Sequence, residues 1–481
     1  MTHFLEALSS AIKDHGITIY SLAATSGIER SYLSKILSGK RSMSTENFSN
    51  IMSAVPFSIE EDKALRELFI SEFYGKDRYE NYINIINNIS ELTDIKSHNP
   101  NVIKVSLVLD GDMVRFDSTK DFVNIIEAVI DTEMAKEKDG RLYTNIDTEL
   151  LFDIVRKYPQ NPNVDFRQLV AIGNDSVSYS KILSQTLKFG MLRYPVNYYN
   201  TADLSERSNG LFPCYLVSSD ICVFADAEYK EGYLIKNKDI ADVHAERFFE
   251  VLKNTGSYVD RMDDIMESKA LHAEILKDGC EHAYAIENCF CAPFHMSHSM
   301  WAQIAKSDIP NREFLIDSTY EYYCFFKNSI EKITTVISKS GLTSFVENGI
   351  VSQMPREYAL PLTSENRLRV LENFREFYSN GSNQLYLIKE NVFHIKDNID
   401  AEVFDNRNKK NAMNMLLAIA SERQAMKFVG NFCFNFSDKN TIVDFLDFIN
   451  CFIVSGCCYT QEESLAIVDE EIRKLRYDLN I

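Results

Sequence analysis

The sequence predicts a multidomain chain: an all-α five-helix domain over residues 1–75, followed by a large α/β region that admits a reading as two related lobes. Three observations predict it. Up to residue 74, apolar residues recur at helical spacing behind helix-starting residues. Beyond residue 98, short apolar runs of strand length alternate with helical stretches. The 481 residues far exceed what one five-helix unit needs, and 45% hydrophobic and 12% aromatic content describes a chain with a large core rather than a disordered tail.

The first helix is expected over residues 3–14. Between residues 19 and 37, Leu22, Ala23, Ile28, Leu33, Ile36 and Leu37 supply an apolar face on each side of Gly27, which can take the positive φ that ends a helix. The opposite face of the second helix of this pair carries Arg30, Ser31, Tyr32, Ser34 and Lys35, side chains of the kinds that reach base edges and phosphates. Gly39-Lys40-Arg41 then places two cations in a tight turn suited to a phosphate contact. Residues 26–41 hold four cations (Arg30, Lys35, Lys40, Arg41) and one anion (Glu29), a local charge of +3 in a chain of −19. Ser44 with Asn47, and Ser58 with Glu61, mark the starts of helices over 44–54 and 58–74, the second with capping-box spacing.

Leu22-Ala23, Ser26-Gly27-Ile28, Ser31, Leu33-Ser34, Ile36 and Gly39-Lys40-Arg41 resemble the Cro and phage-repressor (Cro/C1-type, or XRE) helix-turn-helix family over the N-terminal 75 residues. Met43 departs from the pattern, since the family often has proline there. The resemblance implies a sequence-specific transcriptional regulator whose partner is a double-stranded DNA operator. The first, second and sixth positions of its recognition helix, here Arg30, Ser31 and Lys35, touch bases. A lone reader makes too few base contacts for operator specificity, so a homodimer is expected.

The first 55 residues sum to +1, which leaves −20 on the remainder and argues that the large part repels nucleic acid. That part is expected to dimerise and to sense a small-molecule or protein effector. No run of ~18 uncharged apolar residues occurs, because Asp444 and Asp447 interrupt residues 442–454. With no leader pattern either, the expectation is a cytoplasmic protein without a membrane partner. Its ten cysteines are expected to be reduced thiols.

Residues 76–98 are read as a helical linker, 99–255 as an α/β lobe, 256–340 as a mainly helical connector, and 341–481 as a second α/β lobe with C-terminal helices. In the first lobe, strands at 102–110, 141–146 and 164–172 alternate with helices at 118–136, 147–157 and 178–190, which implies a mostly parallel sheet. Short strands at 213–218, 220–226 and 231–236 then suggest an antiparallel meander before a helix at 239–254. Strands at 383–389, 391–396 and 401–406, an element of either kind near 412–420, a strand at 425–436 and a helix at 439–454 repeat that order. This is similar in outline to phospholipase-D-like domains of some regulators. Their H-x-K-x4-D chemistry is not intact, because His394-Ile395-Lys396 meets Asp400 after three residues instead of four. No other catalytic motif is found, and no catalytic residue or cofactor is expected. The alternative function is a defence or toxin-antitoxin-type effector whose helix-turn-helix only autoregulates or targets it. A third is a protein-interaction module.

Cys280, His282, Cys289, Cys291, His295 and His298 form a dense group of soft ligands, but their spacings include no C-x2-C knuckle. Packing of thiols in apolar surroundings is the favoured reading over a metal or redox site. The aromatic strips at 193–200 and 317–326 are read as core and its rim in preference to a ligand pocket. Purified protein is therefore expected to contain no stoichiometric zinc. Elemental analysis checks this, and one zinc per chain lost together with folding in Cys289→Ser would contradict it.

Overall fold

Side chains that accept from the free amides of a first turn decide where the N-terminal helices begin. In the computed structural model Thr2 starts α1 (His3–Asp14), Thr18 starts α2 (Ile19–Ser26), Glu29 starts α3 (Arg30–Leu37), Ser44 starts α4 (Thr45–Ala54) and Ser58 starts α5 (Ile59–Tyr74). Ser58 and Glu61 complete a reciprocal capping box. Residues 2–82, 112–158, 161–172, 176–191, 194–200, 212–257, 259–262, 265–351, 354, 358–390, 399–408, 412–420 and 431–481 are described. The strands expected at 102–110 and 391–396, and most of the linker expected at 76–98, lie outside them.

The chain divides into two compact units. Met1–Ser90, Met262–Cys433 and Ile442–Ile481 form one, and Glu91–Arg261 with Phe434–Thr441 form the other.

The second unit follows the expected alternation: β1 (Met113–Phe116), α6 (Thr119–Met134), β2 (Gly140–Thr144), α7 (Thr148–Val155), β3 (Val164–Ile172), α8 (Ser176–Met191), β4 (Val196–Asn200), β5 (Cys214–Val217), β6 (Ile221–Ala225), β7 (Gly232–Lys236), α9 (Lys238–Leu252) and β8 (Gly256–Ser257). The parallel and antiparallel parts are one mixed sheet in the order β1-β7-β6-β5-β2-β3-β4-β8. Strands β2, β3 and β4 run parallel, and β5 joins antiparallel to β2. Ala241, Ala245 and Phe248 of α9 pack on Tyr143, Leu169, Val217 and Cys222 of this sheet.

After a short strand β9 (Asp260–Met262), the first unit resumes with α10 (Ile265–Leu276), β10 (His282–Glu287), a 3-10 turn (Ala292–His295), α11 (His298–Ile304), α12 (Arg312–Asn328), β11 (Ile333–Ser338), α13 (Lys339–Asn348), α14 (Ser364–Phe377), β12 (Gln384–Ile388), β13 (Ile399–Asn406) and β14 (Ala412–Ala420). Strand β15 (Asn431–Phe436) carries the chain into the second unit, and it returns to the first within α15 (Lys439–Phe452), which α16 (Gln461–Leu479) follows. Residues 256–340 are thus more than the helical connector expected, because β10 and β11 are parallel neighbours in a sheet ordered β12-β11-β10-β13-β14. Every residue of β11 is buried, so the alternation that marks a half-exposed strand is missing. Three parallel strands followed by an antiparallel partner occur in both units, at β4-β3-β2-β5 and at β12-β11-β10-β13.

Among the described residues one helical stretch, Lys439–Cys457, has the length and the mean hydropathy of 1.3 to cross a membrane, and 61% of it is buried inside the protein. Its interrupting Asp444 is buried and faces the N-terminal helices. Arg78 pairs with the Asp444 carboxylate, Tyr82 donates to it at 2.5 Å, and the Tyr74 hydroxyl donates to the Asp444 carbonyl at 2.7 Å. Tyr82 also stacks on Phe448 with ring centroids 4.7 Å apart. A second tie lies at the end of the stretch. Arg66 is held by Asp62 at 2.8 Å and donates to the Ser455 carbonyl at 2.6 Å. The next residue, Gly456, has φ 79°, and a Cβ there would collide with the Arg66 guanidinium. Asp444→Ala strands the Arg78 cation and is expected to cost about 3 kcal/mol. Gly456→Ala should cost about 2 kcal/mol through its left-handed backbone and the displaced Arg66. Denaturant midpoints check both, and unchanged midpoints would show that neither tie is structural.

Candidate nucleic-acid interface

One aromatic and aliphatic core fixes α2 and α3. Phe48 of α4 stacks on Phe69 of α5 at 3.9 Å, and Phe4 of α1 meets both edge-on. Leu22 of α2 and Leu33, Ile36 and Leu37 of α3 are buried, with Ile28 as a plug between the helices. Gly27 ends α2 with φ 70°, and nothing crowds its α-carbon. Gly39, at φ 71°, closes the turn beyond α3, where the Lys40 and Arg41 amides both donate to the Lys35 carbonyl.

The opposite face of α3 is open. Arg30, Ser31, Ser34, Lys35, Lys40 and Arg41 are exposed and Tyr32 is half-buried, with the Arg41 guanidinium 4.8 Å above its ring. Among the described residues none of the four cations pairs with a carboxylate, so their charge is open to solvent. The acid at the start of α3 has a structural task. Glu29 accepts from the Ser31 amide at 3.0 Å, the Tyr32 amide at 3.2 Å and the Ser31 hydroxyl at 2.5 Å. These bonds, the Ser31 hydroxyl first, hold its carboxyl below the usual range. Ser31, expected to touch a base, thus has its hydroxyl proton committed to Glu29 and only its oxygen lone pairs free.

The soft-ligand residues noted between 280 and 298 do not come together as one group, although Cys291 and His295 border the same cavity. Cys280 is buried. His282 stacks on Tyr284 and hydrogen-bonds Thr334 at 2.8 Å, whereas His298 reaches Asp317 at 2.7 Å on the surface. Among the described residues no three histidine, cysteine or carboxylate side chains converge as metal ligands. Burial raises the Cys280 thiol to about 11 and the Cys433 thiol to about 12, and the Cys291 thiol lies well above its ordinary value.

Strand register assembles a polar cluster that the sequence reading missed. Glu287 on β10 lies opposite Asp400 on β13, and Ala285 lies opposite Glu402. Glu402 accepts from or donates to His272 Nε2 at 2.7 Å, and His272 Nδ1 meets the Tyr322 hydroxyl at 3.0 Å. Cys289 donates to Asp400. Glu287, Cys291, His295 and Glu402 line a cavity of about 40 Å³. Among the described residues, Glu287 Oε2 and His295 Nδ1 are buried there without hydrogen-bond partners. His394 and Lys396 of the near-miss motif lie outside the described residues; Asp400 belongs to this cluster. A charged residue inside an apolar strand, as in HAYAIE, was the only sequence sign.

Burial, and then the Asp400 and Glu402 charges, push the Glu287 carboxyl well above its usual range, and burial with the Glu402 charge pushes Asp400 up to about 7. A carboxyl raised on folding holds its proton better in the native state, so stability falls as pH rises from the ordinary carboxylate range toward 7. Asp400→Asn should flatten that fall and stabilise the protein by about 2 kcal/mol at pH 8 relative to pH 4, read as the difference between variant and parent in urea unfolding. Parallel pH profiles for the two proteins would contradict it.

No family model matches the chain, and no curated protein matches it. Solved structures similar to it include phosphatidylserine synthase of Haemophilus influenzae Rd KW20, with 12% identity over 76% of this chain and 94% of that one at a TM-score of 0.24. They also include TrmBL2, an archaeal chromatin protein, with 14% identity over 40% of this chain and 70% of that one at a TM-score of 0.23. Similarity at these scores carries no argument about function, which rests on the residues themselves.

Proposed function

We propose that the chain is a sequence-specific DNA-binding transcriptional regulator of the XRE type, with residues 1–75 as its helix-turn-helix reader. The observation that carries this reading is α3, whose Leu33, Ile36 and Leu37 are buried while Arg30, Ser34 and Lys35 stand exposed on the other side. A helix so held has the placement of a major-groove reader, and the turned-back Lys40 and Arg41 suit flanking phosphates. In this reading Arg30 and Lys35 take base edges, Ser34 and Tyr32 support them, and Ser31 contributes as an acceptor or after release from Glu29. The operator is palindromic and the chain binds it as a homodimer, since one α3 reads too few base pairs. The rest of the chain supplies dimerisation and sensing.

The test is operator selection from random duplexes followed by titration. Arg30→Ala and Lys35→Ala should each cost about 1–3 kcal/mol on the selected site. Lys40→Ala should weaken all sequences alike and reduce the salt slope by about one. Ser31→Ala should cost less than either base-reading cation, because its proton is already used. Equal affinity across the parent and these variants, or no duplex retained at low salt, would overturn the assignment. Light scattering of the full chain with operator should give two chains per duplex.

A further inference from the structure

The register of β10 and β13 encloses a small cavity under an excess of carboxyl groups. Glu287 stands directly opposite Asp400, and Glu402 lies two residues further along β13 on the same face. Carboxylates set opposite one another across a strand pair repel unless a proton or a cation comes between them. The cavity has a volume of about 40 Å³, and the described residues that line it include Glu287 and Glu402 but no lysine and no arginine. Glu402 is answered by His272 at 2.7 Å. Glu287 is not: it is 7% exposed, and its buried Oε2 has no partner among the described residues. The 3-10 turn Ala292–His295 brings a second such group to the same cavity, His295, 5% exposed, whose buried Nδ1 is equally unpaired. Burial, and then the Lys327 charge, lower the His295 imidazole to about 3, so at pH 7 it is neutral and offers a lone pair at Nδ1 when its proton sits on Nε2. Thr335 and Tyr378 also line the cavity, with their hydroxyl oxygens 2.6 Å apart and one hydrogen shared between them.

We propose that this cavity binds one ammonium ion, held between Glu287 Oε2 and His295 Nδ1. Size is the first constraint. A water needs at least about 10–15 Å³ of cavity, so the space admits a species of one to a few heavy atoms and excludes an organic ligand. Hydrogen bonding is the second. The two orphaned atoms are acceptors, buried acceptors left unpaired are costly, and the lining is poor in donors. Ammonium is close to water in size, donates from every side and carries the charge that the carboxyls lack. Zinc and calcium are poorer matches, because among the described residues no three ligand side chains converge. Other neighbours supply no positive charge to Glu287. Burial keeps the Cys291 thiol and the Tyr323 and Tyr378 hydroxyls protonated, and Lys327 acts on His295 from over the Phe377 ring in the adjoining cleft without lining the cavity. Without the ion a proton on Glu287 relieves the repulsion, since burial and then Asp400 and Glu402 hold that carboxyl well above its usual range. Entry of ammonium therefore ionises Glu287 and passes its proton to the buffer. The site is independent of the DNA reading.

The test titrates the full chain at pH 7 with ammonium chloride at fixed ionic strength, the balance being tetramethylammonium chloride, whose cation is too large for the cavity. Sodium chloride serves as the second control. Thermal midpoints report stabilisation, and calorimetry in two buffers of different protonation enthalpy counts the protons released. The expected result is a saturable rise of about 2 °C or more with ammonium, a smaller one with sodium, and release of up to one proton per chain. Glu287→Gln keeps the shape of the side chain and removes the ionisable group, so it should abolish both the rise and the proton release. If that variant does not fold, the ion series and the proton count on the parent protein still decide. An unchanged midpoint, as a sealed water would give, overturns the proposal. So do equal rises with sodium and ammonium, a rise without proton release, or a rise that persists in Glu287→Gln. None of these readouts involves DNA, so failure of the DNA reading and failure of the cavity are seen separately.

Discussion

Asp444 is the residue on which the first compact unit depends. A carboxylate in the middle of a buried apolar helix is costly unless its lone pairs are answered, and here Arg78 and Tyr82 answer them while Tyr74 takes the carbonyl of the same residue. The ion pair adds little net stability over a well-packed apolar contact. Its contribution is register, because only one docking of α5 and residues 76–82 on α15 satisfies all three donors. The Tyr74 phenol is driven far above its ordinary value by burial and then by Asp444, so it stays protonated, donating to the Asp444 carbonyl while its oxygen accepts from Arg78. Arg66, lodged over Gly456, fixes the same helices at a second point and prevents rotation about the first.

Local chemistry was legible in the sequence, and distant chemistry was not. The two helices for which a cap was expected, α4 and α5, start directly after Ser44 and Ser58, since a cap concerns only three or four neighbouring residues. The β-α alternation of residues 119–252 was legible for the same reason. Strand β11 escaped notice because burial on both faces removes the period of two, and β10, half-buried at His282, Tyr284 and Ala285, shows no regular alternation either. The cysteine and histidine group was dense along the chain, yet its spacings favoured packed thiols over a metal or redox site. Density along the chain suggested a cluster, but alternation along β10 and the turn after it send neighbouring side chains to different sides. Glu287, Asp400 and Glu402 do converge, through a register that no local pattern encodes.

Charge is divided in a way that bears on the proposed nucleic-acid interface. The acidic bulk of the chain leaves a basic turn and helix face at α3, and in the proposed DNA-binding reading the acidic remainder would disfavour approach of a polyanion anywhere else. Glu29 is the one acid there, and it is spent on three local hydrogen bonds that order the first turn. The helix that carries Phe377 also packs along α16, where Arg375 pairs with Asp469 at 2.8 Å and Arg476 pairs with Glu372 at 2.7 Å.

The first unit is discontinuous in sequence, and its ties span most of the chain: Arg66 to Ser455 and Tyr82 to Asp444. During synthesis α1–α5 emerge well before α15 and can form their own core, but Tyr74 and Tyr82 lack their Asp444 and Phe448 partners until α15 leaves the ribosome. Closing a loop of that length is entropically slow compared with forming helices. Nascent chains therefore pass through a long interval with a folded head and an uncovered apolar seam, which is the interval in which a holding chaperone would be needed.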